Sequence, residues 1–456
     1  MMQRKMYFRI AVLICVGALG FWAGAVLAQA AILSALEAPA LPSPALLDER
    51  ALLRLPTLTS VEKILAEAPA LKVAQAQRQA AQFQADALRR GSNEFSVWAQ
   101  VQSRDVRSGP DQGRYSEWQT SIQRPIRWPA QGTAANSLGK AMLHSGEVAL
   151  GDARHESLRE MLRMLVAVQR SAALAQLSTD AVKLLAAQVV AVEKRQAAGD
   201  ASLLELDRIR AEAAQEEAMA TQDRAHANAA LAAWQSRYPD IPALPQSISA
   251  ALPPVDADRG DLLRIFLQHN HELALLDADW QKSLAQARQA RTQELPQPTV
   301  GVYLAAERGG NESIVGLQVS MPIPSASRKD QTAALQAEAT AARWRLTLAH
   351  DRLQADFLRR LQEAQGLGQG SAQLQQAYQA QWQASQRAQK AYFLGESSLN
   401  DWLQSRRLGL QSAREWMQSR FEAEAASAEI LLDTHRLWAT DPIASSVEAE
   451  AASMGQ

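Results

Sequence analysis

Residues able to do catalytic chemistry are few in this chain, and none stands at a productive spacing. His271-Glu272 lacks the second histidine that a zinc-binding helix needs three residues after its glutamate. Gly139-Lys140 is followed by Ala141 and has no first glycine at phosphate-loop spacing. The seven histidines (His144, His155, His226, His269, His271, His350 and His435) are scattered. His269 and His271, two residues apart, face away from each other on a helix. No catalytic group, cofactor site or metal site is predicted, and the chain is not expected to be an enzyme. What stands out instead is a pair of acids in two similar turns. Gly199-Asp-Ala-Ser-Leu-Leu-Glu-Leu206 matches Gly395-Glu-Ser-Ser-Leu-Asn-Asp-Trp402, so Glu205 and Asp401 each lie six residues after a glycine. Gly199 and Gly395 suit a tight turn, and Ser202 and Ser398 suit the cap of the returning helix. Acids there are favoured by the helix dipole alone. Repeated around a pore by several chains, they would also form a ring that attracts cations.

The elements that carry these acids come in two copies. The turns are 196 residues apart, and a second landmark, Pro125-Ile126 against Pro322-Ile323, recurs at 197. Landmarks of different type at nearly one offset indicate an internal duplication. The repeats are expected at 57–238 and 259–438, joined by a proline-rich connector at 239–258, with an extended lead-in at 31–56 and a tail at 439–456. Each repeat reads as helix, strand pair, long helix, tight turn, helix. The first helices are expected at about 58–91 and 259–292, and the strands at about 94–124 and 298–321. Phe95, Val97, Ala99 and Val101 alternate with Ser96, Gln100 and Gln102, the period of a strand. The long helices, about 131–197 and 327–394, would each extend roughly 100 Å at 1.5 Å per residue. Leu158, Met161, Leu165, Val168, Ala172, Ala175, Thr179, Val182, Ala186 and Val189 alternate three and four apart, a coiled-coil seam. Gly366, Gly368 and Gly370 predict a bend or loosening of the second long helix.

Composition agrees with long helices. In 456 residues there are 22 Gly and 18 Pro, and only 5% are aromatic. The net charge of −1 excludes a nucleic-acid binder, which would carry a basic surplus. A mean hydropathy of −0.22 excludes a polytopic helical membrane protein. Residues 1–30, with Arg4, Lys5 and Arg9 before the apolar run Ile10 to Leu27 and Ala28-Gln29-Ala30, read as a secretory signal. The alternative is an uncleaved membrane anchor. The single cysteine, Cys15, lies in that run, so an exported chain would need no disulfide.

The four strand segments have the length of tilted bilayer-crossing strands. Trp98, Tyr115, Trp118 and Tyr303 are expected as aromatics at the membrane interface, with Trp128 nearby. Four strands cannot close a barrel, and open edges are not tolerated in lipid. A membrane location therefore demands several chains per barrel, and three chains would supply twelve strands.

These features together resemble the TolC family of outer-membrane efflux channels over about residues 57–438. Asn270-His-Glu-Leu273 is similar to the family's Asn-Pro-Glu-Leu opening, and Ser320-Met-Pro-Ile-Pro324 to a strand exit. Tyr392-Phe-Leu-Gly395 with Ser398, Leu399 and Asp401 matches the family's turn at the periplasmic tip. Ile122-Gln-Arg-Pro-Ile-Arg-Trp-Pro129 resembles the CzcC-like heavy-metal branch, although Ala130-Gln131-Gly132 stands where that branch has Gly-Lys-Arg. The resemblance implies a mainly α fold with a small membrane β part. Duplicated helical hairpins would form a trimeric α-barrel tunnel below a shared twelve-stranded barrel in the outer membrane of a Gram-negative bacterium. It implies an exit duct of a tripartite efflux system, a homotrimer partnered by a periplasmic adaptor and an inner-membrane pump of RND type. Heavy-metal cations are the preferred cargo, and drug efflux or type I protein secretion the alternatives. Glu205, Asp401 and Tyr392 match aperture and gating positions. Gly199, Ser202, Leu203, Gly395, Ser398 and Leu399 would form the adaptor-docking tips. A reading from another class is a soluble periplasmic coiled-coil adaptor, which has one hairpin where this chain has two.

Overall fold

The computed structural model describes residues 41–239 and 258–438. The expected signal at 1–30, the start of the lead-in, nearly all of the connector and the tail at 439–456 lie outside them. In chain order the elements are α1 (Pro44–Arg50), α2 (Leu58–Glu67), α3 (Pro69–Arg90), β1 (Ser96–Val106), β2 (Gly113–Pro125), α4 (Pro129–Ala197) and α5 (Leu203–Arg237). The second series is α6 (Arg259–His269), α7 (His271–Gln293), β3 (Thr299–Glu307), β4 (Glu312–Ser320), α8 (Ala326–Phe393) and α9 (Leu399–Asp433). Apart from α1, the two series have the same order.

Four sequence expectations change. The first helix of each repeat is two helices. Proline at the first position of α3 starts a new helix after Ala68. Asn270 does the same for α7, its side chain accepting from the Leu273 N–H at 2.9 Å. The lead-in is not extended throughout, because Ser43 accepts from Leu46 N–H and caps α1. Gly366, Gly368 and Gly370 do not interrupt α8, which is helical from end to end. A Cβ at any of the three would meet nothing within 4 Å. Finally, the seam on α4 is buried from Leu158 through Val168 and at Ala175, after which burial moves to Leu177, Ala181, Leu185 and Val192. That stripe advances about 3.7 residues per turn, where a two-stranded coiled coil needs 3.5.

The chain divides into two compact units, each assembled from both repeats. One takes the described residues of 1–64, 158–259 and 358–440. Its main core gathers Leu41, Leu47 and Ala51 of the lead-in with Leu177, Tyr378, Trp416 and Phe421. The lead-in is held by polar bonds as well: Tyr378 Oη donates to Pro42 O at 2.6 Å, and Arg54 and Gln169 exchange two bonds of 2.8 Å. A second core, Leu185, Val192, Leu206, Ile209, Phe393, Trp402 and Leu403, fills the space between the two hairpins at their turns. Asp433, at the end of α9, is clasped by Arg159 at 2.7 Å and Arg360 at 2.6 Å.

The other unit takes 65–157 and 260–357 and holds the sheet. Phe266 and Phe357 stack at 4.3 Å, and His155 meets His271 at 5.0 Å between ring centres. At the strand exits Trp128 Nε1 donates to Pro296 O at 2.9 Å. Buried Gln131 donates to Thr292 O and Leu295 O and accepts from Gln297 at 2.8 Å. Gln131 thus ties the end of the first strand pair to the start of the second. The four strands form one antiparallel sheet in the order β1-β2-β3-β4.

Candidate functional site

Two places carry the functional geometry, one in each unit. In the sheet, the register decides which side chains share a face. Val101 stands opposite Trp118, which stands opposite Ala306 and then Ser313. The next rows on that face are Ala99, Thr120, Leu304 and Val315, then Val97, Ile122, Val302 and Leu317. Val300 and Val319 continue it. Apart from Thr120, Ser313 and Arg124 at its margin this face is apolar, and among the described residues nothing covers it: Val101 is 78% exposed and Leu317 80%. Water does not favour so broad an apolar surface.

The opposite face is polar. Buried Glu117 accepts from Gln102 at 2.8 Å and pairs with Arg104 at 3.2 Å, and Arg104 also reaches Glu307. Gln318 donates to Gln123 at 2.9 Å. Trp98, Tyr115 and Tyr303 lie on this face, opposite the apolar rows. Trp98 pairs across the sheet with Ser121, Tyr303 and Gly316, the parity opposite to Val97 and Ala99. Of the four expected aromatics only Trp118 joins the apolar face. Tyr303 lies over Gly316, where a Cβ would come within 2.3–2.6 Å of ring atoms. The strands are 11, 13, 9 and 9 residues long, enough to cross a hydrocarbon layer when tilted. The outer edges of β1 and β4 have no strand partner among the described residues. Among those residues no helix is long and apolar enough to cross a membrane.

In the other unit the two turns have the same construction. Gly199 and Gly395 take positive φ of 84° and 77°. In each turn the glycine N–H donates three residues back and the next N–H five residues back, closing the end of the long helix. Ser202 then caps α5 by accepting from Glu205 N–H, and Ser398 caps α9 by accepting from Asp401 N–H, both at 3.2 Å. The two acids then part company. Asp401 folds back on its own cap, its carboxylate accepting from Ser398 N at 3.3 Å and Ser398 Oγ at 2.6 Å. Glu205 instead accepts from Tyr392 Oη at 3.1 Å, a bond between the two repeats.

Tyr392 is held from both sides. Its ring stacks on Trp402 at 5.2 Å, and the Arg195 guanidinium lies 5.0 Å from its ring centre. Burial pushes the phenol up to about 12, with Arg195 opposing and the Glu205 carboxylate reinforcing the shift. Tyr392 therefore stays a hydrogen-bond donor at physiological pH. Arg195 and Trp402 were not foreseen in this role; a basic residue ending α4 reads as a helix-dipole partner until the turn is folded. Leu203 is 66% exposed and free to be touched, whereas Leu399, its repeat counterpart, is buried in the core beside Trp402 and cannot serve as a docking contact. Leu204 and Leu394 are exposed beside the turns.

No family profile and no curated protein sequence matches this chain. Solved structures do. The outer-membrane channel OprN is 18% identical, over 84% of this chain and 91% of its own, with a TM-score of 0.70. The outer membrane protein VceC from Vibrio cholerae is 19% identical, over 82% and 95%, with a TM-score of 0.64. The CmeC outer membrane channel of Campylobacter jejuni is 14% identical, over 86% and 89%, with a TM-score of 0.67. With its duplicated hairpins and single four-stranded sheet, the chain has the fold of the TolC-type outer-membrane channels.

Proposed function

We propose that the protein is an outer-membrane exit duct of a tripartite efflux system, working as a homotrimer. The observation that carries this reading is the two-faced sheet: bilayer-length strands, one exposed apolar face, one polar face and two unpartnered edges. An apolar face of that kind is stable against lipid, and unpaired edges are stable there only if other strands close them. Because β1 and β4 run antiparallel, β4 of one copy can pair with β1 of the next and continue the alternation. Three copies would give a closed twelve-stranded barrel, with Glu117, Arg104 and the glutamines lining a watery interior.

The turns at Gly199 and Gly395, with exposed Leu203, Leu204 and Leu394, are read as the docking tips for a periplasmic adaptor and, through it, an RND-type pump. Three Glu205–Tyr392 contacts would set the aperture. Asp401, engaged in its own cap, would contribute charge to the ring and little to closure. Heavy-metal cations remain the preferred cargo on the resemblance of Ile122–Pro129 to the CzcC-like branch. Gln131, in the segment that departs from that branch, has its own structural work at the strand exits. Drug efflux and type I secretion are the competing cargo assignments, and the soluble adaptor reading is disfavoured by the uncovered apolar face. The test is fractionation: heat-modifiable trimers in extracted outer membranes are expected, and a monomer confined to the soluble periplasmic fraction would overturn the proposal. Metal tolerance of a deletion strain, titrated with zinc, cobalt, nickel and copper, separates the cargo readings.

A further inference from the structure

The two helices that border the open sheet edges, α3 before β1 and α8 after β4, each carry a bare apolar seam. On α3 it is Val73, Ala76, Ala80, Phe83 and Ala87. On α8 it is Ala334, Ala337, Ala341, Trp344 and Leu348, and both alternate three and four residues apart. All ten side chains are exposed, Phe83 at 64% and Trp344 at 67%. Neither seam is the face its helix uses inside the chain. There α3 meets α4 where Ala81 and Ala85 lie against Gly146 and Gly139, and α8 buries Ala339, Ala342 and Ala349. Apolar side chains at heptad spacing are stable when a second helix covers them.

The second repeat shows which helix that is. Ala68 and Asn270 stand at the N-caps of α3 and α7, so the α3 seam has Leu275, Ala278, Lys282, Ala285 and Gln289 as counterparts. None of these is exposed, and Ala278 and Ala285 are buried. Along α7 runs α4, with Gln131 bonded to Thr292 O and His155 against His271. The repeat counterpart of α4 is α8, and the described residues leave α3 and α8 of one chain both bare. Carried over by the repeat offsets, the α4–α7 pairing is antiparallel and sets Phe83 between Ala334 and Ala337. It also sets Ala76 beside Trp344, and Val73 between Trp344 and Leu348. Phe83 and Trp344 thus meet alanines, large against small, as interlocking helices require. Little charge opposes the approach: Lys72, Arg78 and Arg89 already pair with Glu67, Glu147 and Asp86. The remaining cation, Arg90, would come within a turn of Asp330. We infer that α3 of one copy and α8 of the next pack antiparallel through these two seams, extending the β1–β4 pairing of the proposed duct into its helical wall. The inference rests on the homotrimer of that proposal and adds the surface that seals the wall between copies.

The test is oxidation of paired cysteines in isolated outer membranes, with Val101→Cys against cysteines on β4 as the strand reference. The chain past residue 30 contains no cysteine of its own. Ala80→Cys is combined in turn with Ala337→Cys and Ala341→Cys, since alanine to cysteine adds one heavy atom and keeps the packing. At least one combination should give covalent bands of two and three chains. Gln75→Cys with Thr347→Cys, exposed residues at matching depth on other faces of the same helices, should give none. Phe83→Asp should lower the yield of heat-modifiable trimer several-fold, and Phe83→Leu should keep it. Strand bands without helix bands would overturn this inference and leave the duct standing, and absence of both would overturn both. Equal bands from the Gln75 and Thr347 pair, or a full trimer yield from Phe83→Asp, would also overturn it.

Discussion

Tyr392 of the second repeat donates its hydroxyl to Glu205 of the first at 3.1 Å, 187 residues away in sequence. This contact joins the two hairpins at their turns, and in the proposed duct it is part of what holds the aperture narrow. Tyr392→Phe removes only the donor, and a hydrogen bond to a charged acceptor is worth about 1.5–3 kcal/mol. The variant should stay folded and show a several-fold higher conductance in planar bilayers, and Glu205→Gln should move it the same way. Unchanged conductance in both would remove the contact from any gating role. The native phenol has a raised pKa, so its contribution is complete below the free value of 10.0 and is lost as pH climbs through about 12.

Asp433 predicts an acid-side effect of opposite sense. Its burial would raise the carboxyl pKa, but Arg159 and Arg360 outweigh that and hold it below the usual 3.8. A lowered folded value means that its stabilisation is full above 3.8 and fades as pH falls through the folded pKa. Asp433→Asn leaves two partly buried guanidiniums without this carboxylate and should cost about 3 kcal/mol at pH 7. The deficit, measured by urea unfolding, should shrink below pH 4. A deficit of the same size at pH 7 and pH 3 would contradict the assignment.

The two faces of the sheet predict opposite responses to one substitution. An arginine at Leu317 or Val101 would face lipid and should cost about 2–4 kcal/mol each near mid-bilayer. An arginine at Gln102 or Gln318, on the polar face, should be tolerated. The readout is the yield of heat-modifiable oligomer in outer membranes. Equal yields from both faces would show that the apolar face does not meet lipid.

Gly316 supplies a packing test. A side chain at 316 would collide with the ring of Tyr303. Gly316→Val should therefore lower the yield of assembled protein several-fold, and the double variant with Tyr303→Ala should recover part of it. No recovery would mean that the glycine serves something other than the ring.

Much of this was readable from the chain alone. Pro125-Ile126 against Pro322-Ile323 and the two glycine turns carry the duplication, and the folded turns repeat each other's backbone bonds and serine caps. The period-two alternation from Phe95 to Val101 marks a strand whose faces differ. It also shows the face of Trp98, whose even position places it with Gln100 and Gln102 on the polar side. An aromatic near a strand invites the girdle interpretation, but parity outranks proximity. The breaks at Ala68 and Asn270 went unread because one capping residue is a weak mark inside two good helical patterns. The triple glycine of α8 misled in the other direction: in a 68-residue helix, three glycines with open space beside them lower local propensity without ending the helix. The Tyr392–Glu205 bond was beyond reach, since each repeat alone contains only half of it. Leu399 and Leu203 looked equivalent by position, and only the aromatic cluster around Trp402 separates the buried one from the exposed one.

In the proposed duct, β1 of one chain pairs with β4 of another until three chains close a barrel. Cysteine at Val101 on β1, combined in turn with cysteine at each position from Ser313 to Val319 on β4, tests this directly by oxidation in isolated outer membranes. At positions brought opposite each other, covalent bands of two and three chains are expected, ending at three, with no higher species. A ladder that ends at two or runs past three, or a protein that shows no bands at any position, would contradict it.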